Sequence, residues 1–222
     1  MKLRSFGGIV SHLFFPHCCP LCGEVGVFVC DDCLSSVLSG PAPLPRCLEC
    51  GAPLPCARHG TRYQLRSRVA HRGKARELLL AAKYGGAGRL SLRLGEELAP
   101  LVSESAGWVL TTVPEHAQFA LLPRGDRHLT WMARGLARRL GVPLLDLLKW
   151  RRGVRPQKEQ PNAEARRQLP HDCFVPVRKP PGRVIVLDDV CTTGTTLARA
   201  ASCLYGAGAF EVLCLSWSAA VR

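Results

Sequence analysis

Two groups of residues in this chain have the types and spacing to do chemistry. The first lies near the C-terminus, in 184-VIVLDDVCTTGTTL-197. Four apolar residues, Val184 to Leu187, read as a buried strand of the parallel-sheet kind, and a helix is predicted from about Thr196 to Tyr205. Between them stand two adjacent acids, Asp188 and Asp189, then Cys191 and a turn rich in Thr and Gly. Open α/β sheets bind ligands beyond the carboxyl ends of their strands. A turn there offers an anion backbone N–H groups, the hydroxyls of Thr192, Thr193, Thr195 and Thr196, and a helix N-terminus; Gly194 lets the backbone approach closely. Carboxylates repel phosphate but accept hydrogen bonds from hydroxyls. The segment therefore points to a sugar phosphate, with the phosphate in the turn and the sugar diol on Asp188 and Asp189. A P-loop is excluded, because no Lys stands in the turn.

The second group is N-terminal. Cys19-x-x-Cys22, Cys30-x-x-Cys33, Cys47-x-x-Cys50 and Cys56-x-x-His59 fall within about forty residues. A two-residue gap lets one tight turn aim two donors at one ion, and the glycines after Cys22 and Cys50 permit the backbone angle a zinc knuckle needs. Four pairs make two tetrahedral Zn²⁺ sites. All ligand positions are then filled by protein, so the zinc is structural and replaces a core that this short segment cannot build. The spacing leaves three points open: which pairs share an ion, whether Cys18 substitutes for Cys19, and whether His59 is a ligand or a surface residue.

Composition narrows the setting. The chain has 222 residues, 47% of them hydrophobic, enough for a real core. Thirty Lys and Arg against 17 Asp and Glu leave a formal charge of +13, which favours a polyanionic partner or a phosphorylated ligand. Eight of the twelve Cys lie between Cys18 and Cys56, but residues 1–16 do not form a secretory signal. Leu3, Phe6, Val10, Leu13 and Phe14 instead fit one face of a short helix ending before Pro16. No run is long enough to cross a bilayer, so no membrane insertion is expected. These features place the protein in the cytoplasm with reduced thiols.

The elements that must position these groups follow from periodicity. Leu spacing predicts helices over 74–83 and 91–103, Trp108 to Val113 reads as a strand ending at Pro114, and a helix is predicted over 128–140. Residues 39–45, SGPAPLP, form a connector. Seven basic residues and no acid lie between Arg58 and Arg76, and twelve against four acids between 122 and 168; both stretches are either solvated faces or polyanion-binding edges. Few aromatics are interleaved with them, so phosphate contact is expected rather than base stacking.

The segment 184–197 resembles the phosphoribosyl pyrophosphate (PRPP) signature of type I phosphoribosyltransferases. Taken with the knuckles, the chain is similar to the ComF family over nearly its full length. Further points of likeness are 14-FFPHCCPLCG-23, Lys83-Tyr84-Gly85, Arg124-Gly125, Gln157, Arg166 and Phe174. The resemblance implies an α/β fold in two parts: a double zinc-ribbon domain over 1–60 with a short N-terminal helix, then a phosphoribosyltransferase-like parallel sheet flanked by helices over 61–222. It implies that Asp188 and Asp189 hold the ribose 2′ and 3′ hydroxyls. Cys191, Thr192, Thr193, Gly194, Thr195 and Thr196 would wrap the 5′-phosphate, Mg²⁺ would ride on the pyrophosphate, and the turn near Pro114 would be the pyrophosphate loop. The ligand would be PRPP or another ribose 5-phosphate. The family's role implies DNA uptake in natural competence, with single-stranded DNA and a ComFA-like helicase as partners, either as a transferase or as a non-catalytic DNA-binding adaptor. The chain departs from the pattern at 124–128, where Asp126, Arg127 and His128 replace the family's Phe, Asn and Gln, and at Glu115, an acid near the pyrophosphate position.

Overall fold

The computed structural model describes residues 17–85, 88–114, 127–152 and 169–220. The elements run α1 (Asp31–Leu38), β1 (Arg46–Cys47), β2 (Gln64–Ala70), α2 (Gly73–Tyr84), α3 (Gly88–Glu96), a 3₁₀ turn (Ala99–Leu101), β3 (Trp108–Thr112), α4 (His128–Leu140), β4 (Leu148–Trp150), β5 (Phe174–Pro176), β6 (Arg183–Cys191), α5 (Thr195–Gly206) and β7 (Glu211–Ala219). The main sheet has the order β1-β2-β7-β6-β3. β2, β7, β6 and β3 are parallel, and β1 is added antiparallel at the β2 edge. β4 and β5 form a separate two-stranded ladder.

Both faces of the sheet are covered, which is why the strand centres are apolar without alternation. Ile185 and Leu187 of β6, with Leu213, Leu215 and Trp217 of β7, pack against α2, α3 and α4 through Leu78, Leu94 and Met132. Val184, Val186, Val212 and Cys214 point the other way and pack against Leu197, Ala201 and Leu204 of α5 and Phe174 of β5. The chain is thus an α/β protein with a mostly parallel sheet flanked by helices, preceded by a cysteine-bearing region.

Three expectations change. The strand predicted to stop before the acids continues through them to Cys191, because β7 pairs with it as far as Ala219. The helix expected over 91–103 ends at Glu96. Pro100 has no N–H to continue an α-helical ladder, and the chain tightens so that Leu98 N donates to Gly95 O at 3.1 Å. The carbonyls released there are met by arginines of β2: Arg68 Nε donates to Glu97 O at 3.0 Å and Arg66 Nη1 to Leu101 O at 2.6 Å. Part of the first basic stretch is therefore a helix-capping device on a strand that periodicity did not reveal. The expected N-terminal helix over 1–16, most of 114–128, and the loop over 153–168 with Gln157 and Arg166 lie outside the described residues.

The helix over 128–140 appears with those bounds and ends on Gly141 at φ +69°. Its basic face is also engaged: Arg138 pairs with Glu96 of α3, and Arg134 lies 4.6 Å from the Trp131 ring centre. α3 and α4 cross with backbones in contact. A Cβ at Gly135 would run into the Leu92 carbonyl, and one at Gly95 into the Met132 carbonyl. Gly135→Ala gains helix propensity of at most about 1 kcal/mol, but overpacking at such a crossing costs typically 1–3 kcal/mol or more. A lowered urea midpoint with an unchanged m-value is the expected result.

Candidate functional site

The carboxyl end of β6 brings three elements together. Asp189 Oδ2 accepts from Lys83 Nζ at 3.0 Å and from His128 Nε2 at 2.7 Å. Lys83 stands in the last turn of α2, and His128 is the first residue of α4. The acids also order their own backbone: Asp189 N donates to Asp188 Oδ1 at 2.8 Å, and Val190 N to Asp189 Oδ1 at 2.7 Å.

The two carboxyls are driven apart. Burial pushes Asp188 well above the usual carboxylate range, and the neighbouring negative charge of Asp189 adds to it. Burial acts on Asp189 in the same direction. It is overcome by the His128 hydrogen bond and the Lys83 charge, which hold Asp189 far below that range. Lys83 is likewise held charged: burial opposes its charge, but Asp189 more than compensates. The two adjacent acids are thus pushed in opposite directions, the kind of separation that makes a cleft a candidate functional site.

The turn beyond β6 has the form expected of an anion cradle. Gly194 adopts φ +86° and is the N-cap of α5, where it offers no side chain, and Thr195 N donates to Thr193 Oγ1 at 3.4 Å. The first-turn N–H groups and the positive end of the helix dipole face the turn. Thr193 and Thr195 hydroxyls lie 3.0 Å apart at its rim. Thr192 and Thr193 are exposed, and Thr195 and Thr196 are half-buried. Cys191 is different: it is 2% exposed, and Arg46 Nη2 donates to its Sγ at 3.8 Å.

Spacing could not show that the second knuckle leans on this turn. A Cβ at Gly194 would lie 2.7 Å from Leu48 Cδ2. Glycine is required at 194 by the left-handed backbone, and a Cβ there would also push aside the end of the Leu48 side chain. Leu48 N also donates to Tyr63 O at 2.8 Å, and β1 extends the sheet beside β2, so the knuckle is tied to the sheet edge.

Neighbouring pairs share each metal-ligand cluster. Cys19, Cys22, Cys30 and Cys33 form one, and Cys47, Cys50, Cys56 and His59 the other, each with its four donor atoms within 4.8 Å of one another. Contacts of 3.6 Å for Cys22–Cys30, 3.4 Å for Cys50–Cys56 and 3.4 Å for Cys47 Sγ to His59 Nδ1 approach the edge of a tetrahedron around one ion at metal–sulfur distances of about 2.3 Å. Both sites can hold a metal ion. His59 belongs to the second, and Cys19 rather than Cys18 to the first. Burial opposes charge on Cys19, but the backbone N–H groups of Cys30, Leu21 and Cys22 bring it down to about 6. Those of His59 and Arg58 do the same for Cys56, also about 6. Donors directed at sulfur are what a metal-bound thiolate requires.

His128 and Lys83 were not legible as partners of Asp189, being 61 and 106 residues away from it in sequence. The sequence singled out Lys83 within the likeness Lys83-Tyr84-Gly85 and His128 as a departure from the family pattern, but neither as a partner of Asp189. Glu115, Arg124, Gly125 and Asp126 lie outside the described residues.

No family model and no curated protein matches the chain. Among solved structures it is similar to one described as the allosteric regulatory enzyme of purine biosynthesis, with 28% identity and a TM-score of 0.40 over 59% of this chain and 25% of that one. It is also similar to glutamine PRPP amidotransferase from B. subtilis in complex with ADP and GMP, with 26% identity and a TM-score of 0.38 over 59% of this chain and 26% of that one. The chain spans about a quarter of the length of these proteins.

The separated carboxyls have opposite effects on stability. Asp188 has a raised folded-state value, so its contribution to folding is lost as pH rises above the unfolded value of about 4. Asp188→Asn, which mimics the protonated acid, is expected to raise the thermal midpoint at pH 8, with the gain vanishing near pH 4. Asp189 has a depressed value, so its stabilisation is present above about pH 4 and lost as pH falls further. Asp189→Asn removes the carboxylate that balances the Lys83 ammonium and should cost roughly 3 kcal/mol at pH 7, less in acid.

Proposed function

We propose that this protein binds PRPP or a related ribose 5-phosphate at the carboxyl end of β6 and transfers the phosphoribosyl group to an acceptor. The observation that carries this reading is the run from Asp188 to Thr196: two acids ending a parallel strand, then a threonine turn with a left-handed glycine opening a helix. In this reading the 5′-phosphate lies against the first-turn N–H groups and the hydroxyls of Thr193, Thr195 and Thr196. Gly194 gives close approach, Thr192 flanks the turn, and Cys191 takes part through the backbone at its base. The ribose diol donates to the carboxyls of Asp188 and Asp189.

Transfer breaks the bond from ribose C1 to pyrophosphate and forms one from C1 to the acceptor, and positive charge grows on the ribose ring between the two. Asp189, kept ionised by Lys83 and His128, is a fixed negative charge beside that ring. Mg²⁺ carried by the pyrophosphate neutralises the leaving group and needs few protein ligands. Structural zinc fits both four-donor clusters, giving a knuckle-bearing part over 1–60 and a phosphoribosyl part over 61–222.

The family resemblance and the +13 charge support a place in DNA uptake with single-stranded DNA and a helicase. The second reading, a non-catalytic DNA-binding adaptor, rests on the same charge. It is weakened by arginines that cap backbone carbonyls instead of facing solvent.

Calorimetric titration with PRPP and Mg²⁺, and with ribose 5-phosphate alone, tests the site. Both should bind, and Thr193→Val with Thr196→Val should weaken both by about tenfold or more, the worth of hydrogen bonds to a charged group. Absence of binding by either ligand would leave the adaptor reading. Elemental analysis should find two zinc ions per chain, falling to one in Cys30→Ser.

A further inference from the structure

A cavity of about 890 Å³ lies between the second knuckle and the N-terminal turn of α5. This is within the size range of small-molecule sites and far more than a phosphate needs. Thr193 and Thr195 form one end, so the cavity opens directly onto the phosphate turn. The opposite wall is apolar and stiff: Pro43, Leu44, Pro45, Leu48 and Pro53. Three arginines, Arg46, Arg72 and Arg199, are among the lining residues against a single acid, Glu49, and the Arg46 guanidinium already donates to Cys191 Sγ. Arg199 Nε is buried with no hydrogen-bond partner, and Arg72 is exposed.

These walls select a ligand class. Proline and leucine surfaces suit a flat apolar body. Arginine forks suit a planar anion such as a carboxylate. A net positive lining favours a ligand that brings charge with it. On the footing that the turn holds a ribose phosphate, we propose that this cavity takes a second ligand, a flat, apolar molecule bearing a carboxylate or similar anionic group, bound beside the phosphate turn and held by Arg199 and Arg72. The second knuckle is then a wall of the binding site, since Cys47 and Cys50 line the same cavity and belong to the second metal-ligand cluster. The first knuckle has no residue in the lining.

A fluorescent aromatic carboxylate, 2-naphthoate, is the probe, with neutral 2-naphthamide as control. Both are measured by equilibrium dialysis on the full chain with and without saturating ribose 5-phosphate. Naphthoate should bind in both conditions and more tightly than the amide. Arg199→Gln and Arg72→Gln should each weaken it by about tenfold, as loss of a charged hydrogen bond predicts, while changing ribose 5-phosphate affinity less than twofold. Arg72 is exposed, so its variant reports on the cavity even if the Arg199 variant fails to fold. The proposal is overturned if naphthoate does not bind, if it binds equally well to both variants, or if ribose 5-phosphate displaces it. In that last case the cavity is only the phosphate site and the ribose phosphate reading survives. Arginine-dependent naphthoate binding to a protein that takes no ribose 5-phosphate sinks that reading instead and leaves the cavity as an anion site.

Discussion

A carboxylate placed at the end of a buried strand must be compensated, and that requirement organises this protein. Asp189 is 13% exposed, and two donors meet its Oδ2, the Lys83 ammonium from α2 and the His128 ring from α4. Both helices pack on one face of the sheet, so the charge at the tip of β6 fixes where α2 must end and where α4 must begin. The close crossing of α3 on α4 at Gly95 and Gly135 keeps α4 in that place. Asp188 is the other side of the same constraint. With Lys83 and His128 both on Asp189, burial and the neighbouring charge push the Asp188 carboxyl up while Asp189 is held down.

The N-terminal region solves a different problem. Between residues 17 and 60 few side chains are buried beyond the cysteines, Leu34 and Val37, and donor clusters take the place of a core. Leu34 and Val37 of α1 join the main core, which docks the first cluster on the sheet. The second cluster is joined by backbone pairing of β1 with β2 and by Leu48 against Gly194. A cluster of potential metal ligands is thereby connected to the turn at Gly194 through two residues, Cys47 and Leu48, adjacent in sequence.

The excess of basic residues does several jobs. Arg66 and Arg68 cap the carbonyls around the end of α3, and Arg62 lies 4.6 Å from the Tyr205 ring centre. Arg138 closes α3 onto α4. Arg46, Arg72 and Arg199 line the cavity beside the turn of Thr193 and Thr195. A count of charges cannot separate these uses, because an arginine on a strand and one on a cavity wall look alike in sequence.

Features that depend on neighbours in sequence were legible without coordinates. The knuckle pairs are two residues apart, the strand-turn-helix of 184–197 is continuous, and α4 is bounded by its own periodicity and its own terminal glycine. β2 and β7 were not legible. Their arginines and serines read as polar until Arg66 and Arg68 find the carbonyls of 101 and 97, and Ser67 finds Ser216 at 2.8 Å. The grouping of neighbouring pairs into one donor cluster each, the place of His59 in the second cluster, the partners of Asp189 and the approach of Leu48 to Gly194 likewise came only from the tertiary structure. The physical reason is the range of the forces involved. Turn geometry, capping and helical period act over a few residues, whereas burial and charge compensation act on whatever the fold brings within a few ångströms, at separations of 61 and 106 residues here.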